Sequence, residues 1–189
     1  MTAGLEDRRV LVGVGGSVAA FKACQVVTNL RRGGAEVRVA MTEAATRFVT
    51  PTLLRALSGN RVASSMWDDD GAEVGHGMSH LDLASWCEVQ VVVAASADLI
   101  ARIALGLASD PVTATALASR APMLIAPAME AAMWEHPATQ GHAATLTSRG
   151  VRIVGPVHGR LASGHESTGR MVEAEEIVAA VGELLGAGA

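Results

Sequence analysis

Aromatic residues and cysteines are both scarce in this sequence. Three Trp, two Phe and no Tyr occur among 189 residues, although 50% of the chain is hydrophobic. The core must therefore be built largely from small residues such as Ala and Val, which suit close packing of helices on a sheet. The two cysteines, Cys24 and Cys87, lie in apolar stretches and are predicted to be small core residues. Two buried thiols argue against a disulfide framework and indicate a reducing compartment.

Long runs of one charge and long apolar runs are also missing. The net charge is −4 without an extended basic stretch, which argues against a nucleic-acid partner. The acidic run Asp68–Asp70 has too few neighbouring ligands for a metal site and is predicted to be a solvated loop. No apolar run approaches the roughly 20 residues that span a bilayer, and the charged segment 1–10 does not resemble a signal peptide. We therefore expect a soluble, cytoplasmic protein without membrane association.

What is present is a regular alternation of short apolar strands and helical stretches. The segments RRVLVGV, AEVRVAM, VQVVVAA, PMLIAPAM and VRIVGP have the composition of buried strands, and helix-like spacing lies between them. Such alternation predicts an α/β fold with a doubly wound parallel sheet, in a single domain over residues 1–189. A glycine-rich loop, a flexible flap over about 157–170, is predicted before a C-terminal helix at about 172–185. Ligands of such sheets bind where the strands end.

The first strand runs into a glycine turn, GVGGSVAA. Gly13 and Gly15 fit the start of a dinucleotide fingerprint, but Val18 stands at its third glycine, and the Gly-Lys-Ser/Thr ending of a P-loop is absent. A glycine turn at a helix N-terminus with a hydroxyl at Ser17 fits phosphate binding. It fits equally an ordinary tight turn in which Ser17 is the N-cap of a helix from 17 to 32.

Polar residues near other strand ends have two interpretations each. His80 is either a catalytic base or a structural hydrogen-bonding residue, and His76 is a weaker candidate. Ser96 and Asp98 either line a ligand or cap the helix that follows. Segment 157–170 is either a functional flap or an ordinary exposed loop.

Taken together, these stretches resemble the homo-oligomeric flavin-containing cysteine decarboxylases, from Val10 to about Ile177. This family includes phosphopantothenoylcysteine decarboxylase and the peptidyl-cysteine decarboxylases of lantibiotic and linaridin-type peptide biosynthesis. Its most specific motif, Pro-x-Met-Asn-x-x-Met-Trp, is matched by PAMEAAMW, with Glu130 in place of Asn. Further matches are Gly16–Lys22 for the glycine turn, SHLDL for the catalytic histidine, and AASAD for Pro-Ala-Ser/Thr-Ala-Asn, with Asp98 in place of Asn.

The resemblance implies a flavodoxin-like Rossmann fold that binds FMN, with FAD possible, and a homo-oligomer, trimer or dodecamer, with the flavin at a subunit interface. It implies that His80 is the catalytic base. The flavin-binding residues carried over from the family are Gly16, Ser17, Val18, Thr42, Ser96, Ala97, Asp98, Ala128 and Met129. The substrate-binding residues are Glu130, Met133, Trp134, Ser163, Arg160 and Arg170.

Two departures from the family pattern shape the expected reaction. Ser163 stands where the reductive members carry a cysteine, so a product that stays an enethiol is expected. The expected activity is therefore oxidative decarboxylation of the C-terminal cysteine of a precursor peptide. A phosphopantothenoylcysteine decarboxylase-like enzyme, and a non-catalytic, regulatory or prenyltransferase relative, are the alternatives.

The second departure is the acidic pair Glu130 and Asp98, which stand where the family has two amides. It matters because a carboxylate cannot donate a hydrogen bond to the substrate carboxylate unless it is protonated. Three explanations stay open at this point. Either Glu130 is protonated, or the substrate carboxylate is held by Arg160 or Arg170, or the substrate differs from that of the family.

Overall fold

The computed structural model describes residues 5–67 and 80–186, and its centre is a six-stranded parallel sheet in the order β3-β2-β1-β4-β5-β6. The strands are β1 Arg9–Val14, β2 Glu36–Met41, β3 Val62–Ala63, β4 Val89–Ala95, β5 Met123–Pro127 and β6 Arg152–Ile153. The order reverses between β1 and β4, and without the two-residue β3 it is the flavodoxin order. The predicted doubly wound α/β fold is confirmed.

Helices cover both faces of this sheet. They are α1 Lys22–Arg32, α2 Pro51–Ser58, α3 His80–Trp86, α4 Ala97–Leu105, α5 Pro111–Ala118, α6 Ala131–Glu135, α7 Pro137–Ser148 and α8 Ala174–Gly186. Helix α1 packs on α2 and α8, whereas α3 packs on α5 and α4 packs on α7. The helix predicted from 17 begins as a 3-10 turn, Val18–Phe21, and a second 3-10 turn, Ala44–Arg47, follows β2.

The core consists of two layers that the central strands divide by alternation. In β1, Val10, Val12 and Val14 face the layer under α1 and α8, while Leu11 belongs to the opposite layer. Strand β4 is buried along its whole length, as its uninterrupted apolar sequence predicts. This double burial fixes the strand positions and brings their carboxyl ends to one edge.

The two cysteines do not share the burial expected of them. Cys87 is buried, but Cys24 on α1 is only half-buried. Both are free, and burial raises the pKa of each thiol. Neither thiol therefore has the thiolate character of a reactive cysteine.

The prediction of a loop over 157–170 is wrong. This segment is an antiparallel hairpin of β7 Val157–Arg160 and β8 Glu166–Arg170. Its polar, glycine-rich sequence lacks the apolar alternation that marks most strands. The pairing is instead supported by docking: the Met129 amide donates to the Gly169 carbonyl at 3.0 Å. A Cβ atom at Gly169 would collide with the Met129 carbonyl oxygen, so only glycine permits this close approach.

Within residues 5–67 and 80–186, no helix is long and apolar enough to cross a membrane. The same residues contain no cluster of three or more His, Cys, Asp or Glu that could hold a metal ion. The acidic run Asp68–Asp70 and His76 lie outside the described residues.

Candidate functional site

A cavity of about 550 Å³ lies at the carboxyl edge of the sheet, beneath the hairpin. Three segments form it: the glycine turn after β1, the segment after β5, and the hairpin with Met171. Ser96, after β4, completes the lining. The sequence predicted this location, since it is the edge beside the reversal of strand order.

The glycine turn allows unusually close backbone approach. A Cβ atom at Gly15 would collide with the Ala94 carbonyl oxygen, and one at Gly16 would collide with the Ala44 side chain. Ala94 itself has a φ of 55°, a left-handed conformation that is uncommon for a residue with a side chain. Side chains at these two glycines would therefore push the turn away from the end of β4 and from the segment after β2.

The Ser17 hydroxyl has no hydrogen-bond partner among the described residues, although its oxygen is buried. Ser17 has an extended backbone and precedes the 3-10 turn, but its side chain makes no capping hydrogen bond. The N-cap interpretation of its side chain is therefore wrong. An unpaired buried hydroxyl next to free helix N–H groups fits the phosphate of a flavin, which supplies the missing acceptor.

The residues after β4 are divided between helix capping and the cavity. The Ser96 hydroxyl accepts from the Leu99 amide at 3.3 Å and caps α4, so both of its predicted roles are compatible with the structure. Asp98 forms a 2.9 Å ion pair with Arg102 on the helix surface. Neither Ala97 nor Asp98 is among the residues that line the cavity.

Thr42 lies in a different cavity. Its side chain is buried and its hydroxyl accepts from the Ala45 amide at 3.2 Å. It lines a neighbouring cavity of about 560 Å³ together with Arg102 and Asp110, which are ion-paired. The structure therefore does not bring Thr42 together with Gly16 and Ser17 in one cavity.

Glu130 contacts the tip of the hairpin. It is the N-cap residue of α6, but its carboxylate accepts no hydrogen bond from that helix. Instead its oxygens accept from the Ser163 amide at 3.3 Å and from the Ser163 hydroxyl at 2.9 Å. Glu130 and Ser163, two of the residues that depart from the family motifs, are thus in direct contact, which single motifs in the sequence could not reveal.

The cations around the cavity differ in their partners. Lys22 forms a 2.9 Å ion pair with Glu173, and Arg170 pairs with the same carboxylate. Hydrogen bonding from Lys22 is the main cause that lowers the pKa of Glu173. Arg160 lines the cavity and has no acidic partner among the described residues. Arg160 is therefore the cation of this cavity that forms no ion pair in the described part of the chain, although Glu166 lies opposite it in the hairpin.

Of the remaining candidates, Val18, Ala128, Met129 and Met133 line the cavity, and Met133 is exposed at its rim. Trp134 instead packs against the core layer under α4. His80 is the first residue of α3 and does not line the cavity of its own chain.

Sequence reasoning missed several residues of the site. They are Ala19 and Phe21 in the 3-10 turn, Lys22 at the start of α1, Leu161 and Ala162 at the hairpin tip, and Gly169 and Met171 at the hairpin's end. Phe21 and Lys22 lay inside the matched glycine-turn motif and could have been taken from it.

Comparison with known proteins gives a consistent result. The Flavoprotein family model matches residues 2–186. The chain is 41% identical to the coenzyme A biosynthesis bifunctional protein CoaBC of Haemophilus influenzae over 180 residues, which cover 95% of this chain and 44% of that protein. It is 45% identical to CoaBC of Mycobacterium tuberculosis over 170 residues, 90% of this chain and 40% of that one. The chain therefore spans less than half the length of these curated relatives.

Solved structures agree with the family match. The FMN-dependent cysteine decarboxylase SpaF is 34% identical, with a TM-score of 0.81 over 98% of this chain and 99% of SpaF. A PPC decarboxylase mutant complexed with pantothenoylaminoethenethiol is 30% identical, with a TM-score of 0.80 over 93% of this chain and 97% of the other. With the motifs, the strand order and these matches in agreement, the chain belongs to the Flavoprotein family, among the flavin-containing cysteine decarboxylases that its motifs resemble.

Proposed function

We propose that this protein binds FMN and decarboxylates a C-terminal cysteine of a precursor peptide, leaving an enethiol. The cofactor assignment is supported by the unpaired Ser17 hydroxyl at the glycine turn and by relatives described as FMN-dependent or FMN-binding. The chemistry that bound FMN supplies is two-electron oxidation of the cysteine side chain to a thioaldehyde, from which the adjacent carboxylate leaves as CO₂.

The observation that carries the choice of product is Ser163 at the hairpin tip, with its hydroxyl held by Glu130. A hydroxyl is a far weaker acid than a thiol and does little redox chemistry, so the chain offers no thiol at this position to support reduction of the enethiol by the reduced flavin. The 30% identical PPC decarboxylase is a cysteine-to-serine mutant in complex with pantothenoylaminoethenethiol, which is itself an enethiol.

Arg160 is proposed to hold the substrate carboxylate until it leaves. Arg170 and Lys22 already share Glu173, whereas Arg160 lines the cavity and has no ion pair among the described residues. A guanidinium can bind a carboxylate through two parallel hydrogen bonds. The repulsion expected between Glu130 and the substrate is reduced because Ser163 donates to both Glu130 oxygens.

His80 is proposed to be the base, acting on the cavity of a neighbouring copy in a homo-oligomer. Histidine side chains exchange protons near neutral pH, which suits them to this role. Because His80 does not line the cavity of its own chain, this proposal requires the subunit-interface arrangement that the family resemblance implies.

A second candidate is decarboxylation of phosphopantothenoylcysteine. It is favoured by the 41–45% identity to CoaBC proteins, which exceeds the 34% identity to SpaF. This candidate also requires that the enethiol be reduced by the reduced flavin without the support of a thiol at position 163.

The test is to incubate the purified, FMN-loaded protein separately with peptides ending in cysteine and with phosphopantothenoylcysteine, and to measure product masses. A peptide product lighter by CO₂ plus two hydrogens is expected. Loss of CO₂ alone, from phosphopantothenoylcysteine only, would establish the second candidate instead. A protein that stays colourless after FMN or FAD is added would refute the flavoenzyme proposal itself.

A further inference from the structure

The hairpin is attached to the rest of the protein at two places. At its base, Glu173 binds Arg170 and Lys22, and the Met129 amide donates to Gly169. At its tip, the contact is the pair of hydrogen bonds from Ser163 to Glu130. Leu161 and Ala162, which lie between these attachments, form part of the cavity wall.

We infer that Glu130 is a positioning residue which, as an acceptor, holds the hairpin tip closed over the cavity through Ser163. The Ser163 backbone amide can only donate, so the Glu130 oxygen that faces it must accept. The Ser163 hydroxyl is placed to donate to the other oxygen. A carboxylate can accept from both donors at the same time.

This arrangement accounts for two of the three departures from the family motifs, Glu130 and Ser163, together. The two family residues at these positions are an amide and a thiol, and a thiol is a weak hydrogen-bond donor. Serine supplies a stronger donor at the hairpin tip, and glutamate supplies a charged acceptor that reaches it. The family amide and thiol have separate chemical roles. In this chain Glu130 and Ser163 instead form one contact that connects the hairpin tip to the opposite side of the cavity.

The consequence for binding, which rests on the proposed function, is that the closed tip keeps Arg160 and the wall residues over the substrate. Arg160 is the last residue of β7, three positions before Ser163. Loss of the tip contact should therefore weaken substrate binding more than it slows the chemical step. It should raise KM while kcat stays within about twofold.

The primary experiment measures hairpin opening without turnover. Trypsin cleaves after arginine, and cleavage at Arg160–Leu161 requires the hairpin tip to open; fragment masses identify this bond. In the FMN-loaded full chain, Ser163→Ala removes the hydroxyl contact and should raise the cleavage rate about fivefold, because cleavage follows the open population. Glu130→Ala removes the amide contact as well and should raise the rate at least as much. The double variant should cleave no faster than Glu130→Ala.

Two variants serve as controls for this experiment. Ser167→Ala removes a hydroxyl from β8 of the same hairpin, away from Glu130, and should leave cleavage unchanged. Glu130→Gln keeps an oxygen for the Ser163 amide and should recover at least half of the protection.

Additive effects of the two alanine substitutions, or equal cleavage in Ser163→Ala and Ser167→Ala, would overturn the inference. A Gln variant as open as the Ala variant would also overturn it. A kcat loss in Ser163→Ala with unchanged cleavage would assign Ser163 a chemical role instead. If the cleavage pattern holds but no cysteine substrate is turned over, the tip contact stands and the proposed function fails.

Discussion

Replacing Ser17 by alanine should affect the flavin-free and flavin-bound protein in opposite directions. In the chain alone, the hydroxyl oxygen is buried without a partner among the described residues, so it contributes a desolvation cost and no hydrogen bond. With FMN bound, the same hydroxyl is proposed to donate to the phosphate. The substitution therefore removes a desolvation cost from the flavin-free protein and a hydrogen bond to the phosphate from the flavin-bound protein.

The magnitudes follow from these two environments. An unsatisfied buried polar group costs about 1–3 kcal/mol, and the lower end applies because Ser17 as a whole is only half-buried. The flavin-free variant should gain about 1 kcal/mol, or roughly 2–4 °C in Tm for a chain of this size. Loss of a hydrogen bond to a charged group, about 1.5–3 kcal/mol, should weaken FMN binding roughly 10- to 100-fold.

The assays are thermal unfolding of the flavin-free protein and FMN titration by flavin fluorescence. Ser96→Ala is the matched control, because the Ser96 hydroxyl caps α4 by accepting from Leu99. That variant should lose about 1 kcal/mol of stability without flavin. A Ser17→Ala protein that is less stable than wild type without flavin, or that binds FMN equally well, would refute the reasoning.

Other substitutions test the base, an ion pair and the hairpin. His80→Asn should keep its flavin and lose about 10²–10⁴-fold in turnover, while His158→Asn should keep most activity. Glu173→Gln should lower stability at neutral pH by less than about 1 kcal/mol, since the carboxylate that pairs with Lys22 is half exposed. Hydrogen bonding from Lys22 holds the pKa of Glu173 in the folded protein below its value in the unfolded chain. The stabilisation by this ion pair is therefore fully present above the unfolded-state pKa and is lost as the pH falls through the folded-state pKa. Gly169→Ala should displace the hairpin and lower kcat/KM by about tenfold or more, because each 1.4 kcal/mol of lost docking is a factor of ten.

Each of these expectations has a result that contradicts it. Full activity in His80→Asn would exclude this residue as the base. For Glu173→Gln, a stability difference from wild type that persists at a pH well below the folded pKa of Glu173 would exclude the ion-pair explanation, because this carboxyl group is then protonated in the folded protein as well as in the unfolded chain. A Gly169→Ala protein with wild-type trypsin resistance after Arg160 would show that the hairpin tolerates the added methyl group.

The sheet and its ligand-binding edge were predictable because burial on both faces leaves a strong sequence pattern. Strand β4 is an apolar run without interruption, and the glycine turn after β1 marks a close approach of backbone. The hairpin was not predictable from periodicity, because its strands are polar and depend on docking at Gly169.

The site was predicted less completely than the fold for a related reason. Motif matches name residues one at a time and do not show which partner each side chain has. Asp98 is paired with Arg102, and the Thr42 hydroxyl accepts from the Ala45 amide, and neither partner is indicated by the motif position of its residue. The contact between Glu130 and Ser163 joins positions 33 residues apart, which no local pattern encodes.

The shared carboxylate of Glu173 also determines how the protein meets its substrate in solution. Three cations, Lys22, Arg160 and Arg170, and two carboxylates, Glu130 and Glu173, lie around the cavity, so it presents a net charge of only about +1 at a distance, on a chain whose overall charge is −4. Charges separated by more than about 8–10 Å are screened at physiological ionic strength. An anionic peptide is therefore not attracted from afar, and its association rate should stay near the unsteered value of about 10⁵–10⁶ M⁻¹s⁻¹. The protein then discriminates between substrates only after they have reached the cavity, through contacts with Arg160 and the hairpin.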